Sequence, residues 1–220
     1  MKISILLPFK ENFSPSYAGA VSLNINETLK TSKYRKEVIV FGNTDYKDRF
    51  KHKYINIPLK KIFFQSQNKK YVDEFVKLEI KRNSDLIELH NRPIYLNYLI
   101  HKLKKKTYIL YFHNDPLTMS GSKSIQDRIF LLKNCFKIIF NSNWSKKRFL
   151  EEMKSDYINS EKLVVINQSA NKNKVNLKKK KENNNFCRKI KQIKGLRSVW
   201  KGNYKSIRQI QRLEINSHWR

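Results

Sequence analysis

Two histidines in this 220-residue sequence end short apolar segments and begin the same polar pattern, His-Asn-x-Pro. His90 follows Leu-Ile-Glu-Leu within residues 86–93, and His113 follows Tyr-Ile-Leu-Tyr-Phe within residues 108–116. An apolar run bounded by turn-forming residues, as at 108–112, is typical of a strand buried on both faces of a parallel sheet. Two such strands would bring both histidines to the carboxyl edge of the sheet, where open α/β folds bind their ligands.

A second candidate site is the small-residue turn Ala-Gly-Ala-Val at residues 18–21. It follows an apolar segment at 3–9 and opens a predicted helix with Val21, Ile25 and Leu29 spaced by four. This arrangement presents backbone N–H groups and the positive end of a helix to an anion. Since there is one glycine and no G-x-G-x-x-G pattern, a plain tight turn is an equally supported interpretation.

These residues need a scaffold, and the sequence predicts alternating strands and helices. The predicted strands are residues 3–9, 37–41, 54–57, 86–89, 108–112, 137–140 and 163–166. Helical patterns lie between them, including residues 67–82, where Tyr71, Phe75, Leu78 and Arg82 share a face. This alternation predicts right-handed βαβ units in an α/β fold with a doubly wound, mostly parallel, Rossmann-like sheet and helices on both faces. The predicted domain covers residues 1–171.

The net charge of +29 is unevenly distributed. Residues 1–171 carry 31 Lys and Arg against 16 acidic residues, whereas residues 172–220 carry 16 against 2. This distribution favours a mildly basic enzyme domain with an unusual tail over a basic DNA-binding protein.

The compartment is predicted from what the sequence lacks. Cys135 and Cys187 are far apart without metal-ligand spacing, which favours a reducing compartment. The amino terminus is not typical of a signal peptide, and no run approaches the roughly 20 apolar residues that span a bilayer. We therefore expect a cytoplasmic protein, with peripheral association at the inner face of the membrane as a further option.

Six segments in order resemble the amino-terminal, subfamily 4-like domain of glycosyltransferase family 4. These retaining enzymes have two Rossmann-like halves, the GT-B architecture. The matching segments are residues 4–8, 17–21, 85–93, 112–116, 138–143 with 148–150, and 162–167. One departure is Ala18, where the family usually has a second glycine.

The resemblance implies a nucleotide-sugar donor as co-substrate and a glycan or lipid-linked acceptor, in cell-envelope glycan synthesis. Gly19 and Ala20 would approach the diphosphate, and His113 would face the transferred sugar as the catalytic residue. Acceptor hydroxyls would be bound by polar residues at the same edge: Asn91, Arg92, Asn114, Asp115 and Ser142. Such side chains supply the fixed donors and acceptors that sugars need. The family typically needs no metal, so neither a metal nor another cofactor is expected.

Some of these residues have simpler interpretations. His90 is interpreted as a strand-end residue that hydrogen-bonds a neighbouring loop. Asp115, just before Pro116, could simply start a turn. The lysine run within residues 102–106 is interpreted as a solvated helix end and, as a second choice, as a contact with an anionic membrane surface.

The family resemblance ends after Asn167, where a linker and a second, nucleotide-binding domain would follow. Here residues 172–186 are a linker rich in Lys and Asn, and residues 187–220 are an irregular basic tail. Read one base later from Phe186, permitted codons can spell the opening strand and turn of the missing half. We therefore hypothesise a frameshift, and we expect little or no transferase activity from the truncated chain. The nucleotide sequence through codon 186 tests this.

Two other functions are weighed against the transferase. A basic nucleic-acid-binding protein that uses residues 172–220 as a cationic arm would bind in a strongly salt-dependent way. No helix-turn-helix, zinc or RNA-recognition signature supports it, so nucleic acid is a disfavoured partner. A dehydrogenase or epimerase is disfavoured because the glycine fingerprint and an acidic residue closing the second strand are missing.

Overall fold

Seven parallel strands form a single sheet in the part of the chain that the computed structural model describes, residues 1–44, 46–59 and 66–168. In chain order the strands are β1 (Ile3–Leu6), β2 (Val38–Gly42), β3 (Tyr54–Asn56), β4 (Leu86–His90), β5 (Thr107–Phe112), β6 (Lys137–Phe140) and β7 (Leu163–Val165). Their order across the sheet is β3-β2-β1-β4-β5-β6-β7. The predicted linker and tail, and the nucleic-acid alternative that depends on them, lie outside the described residues and stay predictions.

Five helices connect these strands, as the alternation predicts. They are α1 (Ala20–Thr31), α2 (Gln67–Arg82), α3 (Ile94–Leu99), α4 (Ile125–Asn134) and α5 (Asn143–Leu150). The strand order reverses direction between β1 and β4, which creates the crevice where open α/β sheets bind ligands. The predicted doubly wound fold is therefore confirmed. None of the helices within the described residues is long and apolar enough to cross a membrane.

The helix starts follow local sequence signals. Ser124 accepts a hydrogen bond from the Asp127 N–H, and Asp127 accepts one from the Ser124 N–H, which is a complete capping box for α4. Ser142 caps α5 by accepting from the Ser145 N–H. By contrast, Gly19 at the start of α1 has no side chain to offer.

The two faces of the sheet are covered unequally. Apolar residues of α2, α3, α4 and α5 form one core cluster with β4, β5 and β6, while α1 packs mainly on β1 and β2 across the other face. In β5, Tyr108 and Leu110 are buried but Ile109 and Tyr111 are only half-buried. The prediction that this strand is buried on both faces is therefore wrong. Among the described residues, no helix beyond α1 lies on that second face.

The inward stripe of α2 keeps two of the four predicted residues and adds others, namely Lys70, Val72, Val76 and Glu79. Tyr71 and Phe75 are fully buried as predicted, but Leu78 is half-buried and Glu79 is completely buried. The carboxylate of Glu79 is tolerated there because Ser4 Oγ donates to it at 2.6 Å and the Ser84 N–H at 2.8 Å. A buried carboxylate thus joins α2 to the amino-terminal end of the sheet.

Gly121 fixes the loop after β5 against the start of α3. Its φ is +89°, and a Cβ there would lie 2.6 Å from the backbone nitrogen of Ile94. We expect Gly121→Ala to destabilise the fold by about 2 kcal/mol, because positive φ and a backbone clash both oppose the side chain. Chemical denaturation measures this, with the exposed neighbour Ser120→Ala as the control. Equal stability of the two variants would contradict the packing described.

Candidate active site

Two stacked histidines lie at the centre of the candidate site. Nδ1 of His90 is 2.9 Å from Nε2 of His113, and the ring centroids are 5.2 Å apart. The contact arises because His90 is paired in register with Tyr111, so that His113, two residues later, points to the same face. The predicted meeting of the two strand ends is confirmed. His90 ends β4 and contacts the segment just after β5, in agreement with its interpretation as a strand-end residue that bonds a neighbouring loop, and the contacting group there is the other imidazole.

The backbone of His113 is held from both sides. Its N–H donates to Oδ1 of Asn91 at 2.7 Å, and its carbonyl accepts from Nδ2 of Asn141 at 2.8 Å. The ring of Tyr111 stacks on His90, the ring partner of His113, at a centroid distance of 4.6 Å. Residues that follow β4 and β6 therefore anchor the His113 backbone while His90 contacts its ring, which is the kind of support a binding or catalytic group requires.

Burial keeps His113 uncharged. The pKa of His113 is lowered from 6.5 to about 3. The larger cause is the loss of solvation, and the smaller one is the electrostatic effect of the nearby His90. At neutral pH this imidazole is therefore a neutral group with one N–H donor and one acceptor nitrogen. It can accept or donate a hydrogen bond, but it does not act as a cation.

An open groove lies beside the histidine pair. A cavity of about 210 Å³ is bordered by Asn24 and Thr28 of α1 on one side and by Tyr111, His113 and Asn141 on the other. A second cavity of about 110 Å³ shares Asn24, Thr28 and Tyr111 and reaches Glu88 and His90. The groove thus separates α1 from the sparsely covered half of the sheet, and its lining is mixed polar and aromatic.

The start of α1 already holds an anion from the chain itself. Oε1 of Glu11 accepts a hydrogen bond from the Ser22 N–H at 3.0 Å, and the carboxylate lies against Gly19, where a Cβ would overlap with it. The N–H group that binds this carboxylate belongs to Ser22 in the first turn of the helix, where negative charge is favoured. The predicted approach of Gly19 and Ala20 to a diphosphate stays a prediction. The occupying group is a carboxylate from the preceding loop, which sequence spacing did not indicate.

The remaining predicted residues line the same edge and have structural partners. Asn91 is buried and bound to the backbone of His113, and a guanidinium nitrogen of Arg92 donates to the Asn91 carbonyl at 2.8 Å. Asp115 accepts from the Leu117 N–H at 3.0 Å and pairs with Nε of Arg148 at 3.3 Å. Their roles in acceptor binding stay predictions.

Ser142 and Asn114 complete the predicted set. Ser142 caps α5, and its Oγ is 3.0 Å from Oγ of Ser145. Asn114 is exposed at the rim of the edge. Neither contacts the His113 ring, so the two lie beside the histidine pair without forming part of it.

Several residues of the site were missed from the sequence. Glu88 lies two residues before His90 on the same face of β4, with Oε2 3.5 Å from Nε2 of His90. An acidic residue inside a buried strand is the signal that could have identified it. The Gln168 side-chain amide contacts Nδ1 of His113. This contact had no sequence signal, because it joins residues 55 positions apart.

Two buried tyrosines stabilise the loop between β1 and α1. Tyr71 donates its hydroxyl to the Leu7 carbonyl at 3.0 Å, and the Tyr95 hydroxyl accepts from the Phe9 N–H at 2.9 Å. Their role is to hold the end of β1 in place.

Within the described ranges, no group of three or more His, Cys, Asp or Glu side chains is arranged to hold a metal ion.

Known structures resemble this fold, although no protein-family model and no curated protein matches the sequence. HepE (Alr3699) of Anabaena in complex with UDP and glucose superposes with a TM-score of 0.53 and 18% identity, over 78% of this chain and 45% of HepE. The same protein in complex with UDP-glucose superposes with a TM-score of 0.51 and 16% identity, again over 78% of this chain and 45% of HepE. A glycosyltransferase from Rickettsia africae ESF-5 superposes with a TM-score of 0.49 and 16% identity, over 77% of this chain and 44% of that protein. The chain therefore shares a fold with HepE and spans less than half of HepE's length.

Proposed function

We propose that the described domain is the acceptor-side half of a glycosyltransferase that uses a nucleotide-sugar donor. The observation that carries the proposal is His113, which residues at the ends of β4 and β6 hold beside an open groove at the carboxyl edge of the sheet. The shared fold with HepE, which was crystallised with UDP and glucose, supports the same assignment.

The chemistry of the groove suits a sugar. A neutral imidazole, the amides of Asn24 and Asn141 and the hydroxyl of Thr28 offer fixed hydrogen-bond donors and acceptors, and Tyr111 offers an aromatic ring. In the proposed reaction His113 contacts a hydroxyl of the transferred sugar. The sugar is transferred with retention to a glycan or lipid-linked acceptor, which Asn91, Arg92, Asn114, Asp115 and Ser142 help to bind.

The leaving diphosphate would be stabilised at the start of α1. Backbone N–H groups near Gly19 and Ala20 favour negative charge there. Because Glu11 occupies this position, the diphosphate has to displace its carboxylate. The Ser22 N–H would then donate to a phosphate oxygen instead of to Glu11.

The nucleotide itself would bind to a second domain, as in two-domain enzymes of this architecture. We therefore expect the 220-residue chain to bind the sugar end of a donor weakly and to transfer little or no sugar on its own. An active transferase would require the nucleotide-binding half.

A titration of the 220-residue chain with UDP-glucose, followed by ¹H–¹⁵N NMR, tests the proposal. We expect backbone signals around Asn91, His113 and Asn141 to shift, with the affinity for UDP-glucose reduced roughly fivefold in His113→Ala, because a buried hydrogen bond is worth about 1 kcal/mol. His101→Ala is the matched control, since His101 is exposed outside the groove. In Glu11→Gln, which removes the competing charge at the start of α1, the affinity for UDP-glucose should rise.

The comparison of variants decides the outcome. Shifts confined to other surfaces would contradict the proposed site, and so would equal losses in His113→Ala and His101→Ala. Sugar transfer by the chain alone would contradict the need for a second domain while leaving the site itself intact.

A further inference from the structure

Four side chains form a continuous line of polar contacts through the site. The Gln168 amide nitrogen contacts Nδ1 of His113, and Nε2 of His113 lies 2.9 Å from Nδ1 of His90. Nε2 of His90 in turn lies 3.5 Å from Oε2 of Glu88. The line therefore begins beside the groove and ends at a carboxylate on the neighbouring strand.

The positions of the protons along this line follow from counting donors and acceptors. An amide N–H of Gln168 donates to Nδ1 of His113, so a neutral His113 carries its proton on Nε2. That N–H donates to Nδ1 of His90, which leaves the His90 proton on Nε2, facing the carboxylate. The opposite direction would set a bare nitrogen lone pair of His90 against the oxygens of Glu88.

Burial makes the Glu88 contact decisive. His90 is only 2% exposed, and its Nε2 has no hydrogen-bond partner within the described residues, while a carboxylate oxygen of Glu88 lies 3.5 Å from that nitrogen. Glu88 is 19% exposed and borders the cavity of about 110 Å³ beneath α1. An N–H of His90 is stabilised by this carboxylate, and a bare nitrogen is destabilised by it.

We propose that Glu88, acting through His90, is a positioning residue that holds His113 with Nε2 protonated and Nδ1 free to accept a hydrogen bond from a ligand in the groove. Gln168 supplies that hydrogen bond in the structure, and its amide stands where a ligand hydroxyl would donate. The ligand group that fits this nitrogen is therefore a hydrogen-bond donor, and on the proposed function that donor is a sugar hydroxyl. This ligand class rests on the proposed function, whereas the proton arrangement does not.

The proton arrangement is tested on the 220-residue chain without any sugar. Long-range ¹H–¹⁵N spectra of ¹⁵N-labelled histidine rings identify which nitrogens carry protons, and coupling across the His113–His90 hydrogen bond identifies the donor. We expect the shared proton on Nε2 of His113 and a second proton on Nε2 of His90. A shared proton on Nδ1 of His90 would overturn the proposal, whatever the variants show.

Two substitutions at Glu88 separate a positioning role from general packing. Glu88→Gln keeps an oxygen acceptor and should preserve the proton arrangement, whereas Glu88→Leu should lose it, with the ring nitrogens shifting toward a mixture of tautomers. Glu74→Leu on α2 removes a partly exposed carboxylate that pairs with Lys77, and it is the control. An unchanged arrangement in Glu88→Leu would remove Glu88 from the proposal.

A ligand arm distinguishes this inference from the proposed function. UDP-glucose should shift Nδ1 of His113, and UDP, which lacks the sugar, should not. If the proton arrangement is as described but UDP-glucose does not bind, the proposed function fails and the positioning role stands. If UDP-glucose binds through His113 but the shared proton lies on His90, the positioning role alone fails.

Discussion

Replacing Glu79 with Leu is expected to destabilise the domain by about 3 kcal/mol, a large part of the stability of an ordinary fold. The completely buried carboxylate accepts hydrogen bonds from Ser4 Oγ at 2.6 Å, from the Ser84 N–H at 2.8 Å and from the Ser84 hydroxyl. Leu would fill the space but leave these donors without partners inside the protein. Removal of one member of a buried polar network costs more than the network contributes as a whole.

Arg82 extends the same network across the end of the sheet. Its Nε donates to Ser4 Oγ at 3.0 Å, and its Nη2 donates to the carbonyls of Ile3 and Glu37 at 2.9 and 2.6 Å. Urea denaturation of the wild type and of Glu79→Leu measures the loss. Glu74→Leu on the same helix removes a carboxylate that pairs at the surface with Lys77, and it should cost no more than about 0.5 kcal/mol. Similar losses in both variants would contradict a specific role for Glu79.

Acidification is expected to destabilise the domain through His113. Its pKa in the folded state is about 3, below the usual value of 6.5 in an unfolded chain. Above pH 6.5 both states are neutral and stability does not depend on this group. Between pH 6.5 and 3 only the unfolded state takes up the proton, so the free energy of unfolding falls by at most about 1.4 kcal/mol per pH unit.

His113→Gln isolates this contribution, because glutamine does not titrate. Below pH 6.5 the free energy of unfolding should fall more steeply with decreasing pH in the wild type than in His113→Gln, by an amount that approaches the uptake of one proton. Above pH 6.5 the two curves of unfolding free energy against pH should run parallel. Urea denaturation at a series of pH values provides the slopes, and His101→Gln at an exposed position serves as the control. Curves that stay parallel down to pH 4 would show that His113 is not held neutral by its surroundings.

The sequence was sufficient for most of the fold because hydrophobic periodicity reports burial on elements that are regular. The helix predicted at residues 67–82 is α2, and the strand predicted at 137–140 is β6. The burial of β5 was predicted incorrectly because an apolar run does not state how many layers cover it. Ile109 and Tyr111 are apolar or aromatic and yet lie on the half-covered face.

The site was predictable where it depends on strand ends and unpredictable where it depends on side-chain contacts across loops. His90 and His113 meet because β4 and β5 are adjacent and in register, which topology implies. The contact of Glu11 with the first turn of α1 required the path of the loop between them. The choice between Leu78 and Glu79 as the inward residue of α2 was settled by hydrogen-bond partners that lie on other elements.

The position of Glu11 makes it a tethered competitor for any anion that approaches α1. A group attached by a short loop has an effective concentration on the order of millimolar, so simple monovalent ions at lower concentration cannot replace it. If a diphosphate binds at the start of α1 as proposed, a molecule with additional contacts elsewhere, such as in the groove beside His113, would overcome this competition more readily than a simple anion. The loop before α1 would then favour ligands that engage both places at once.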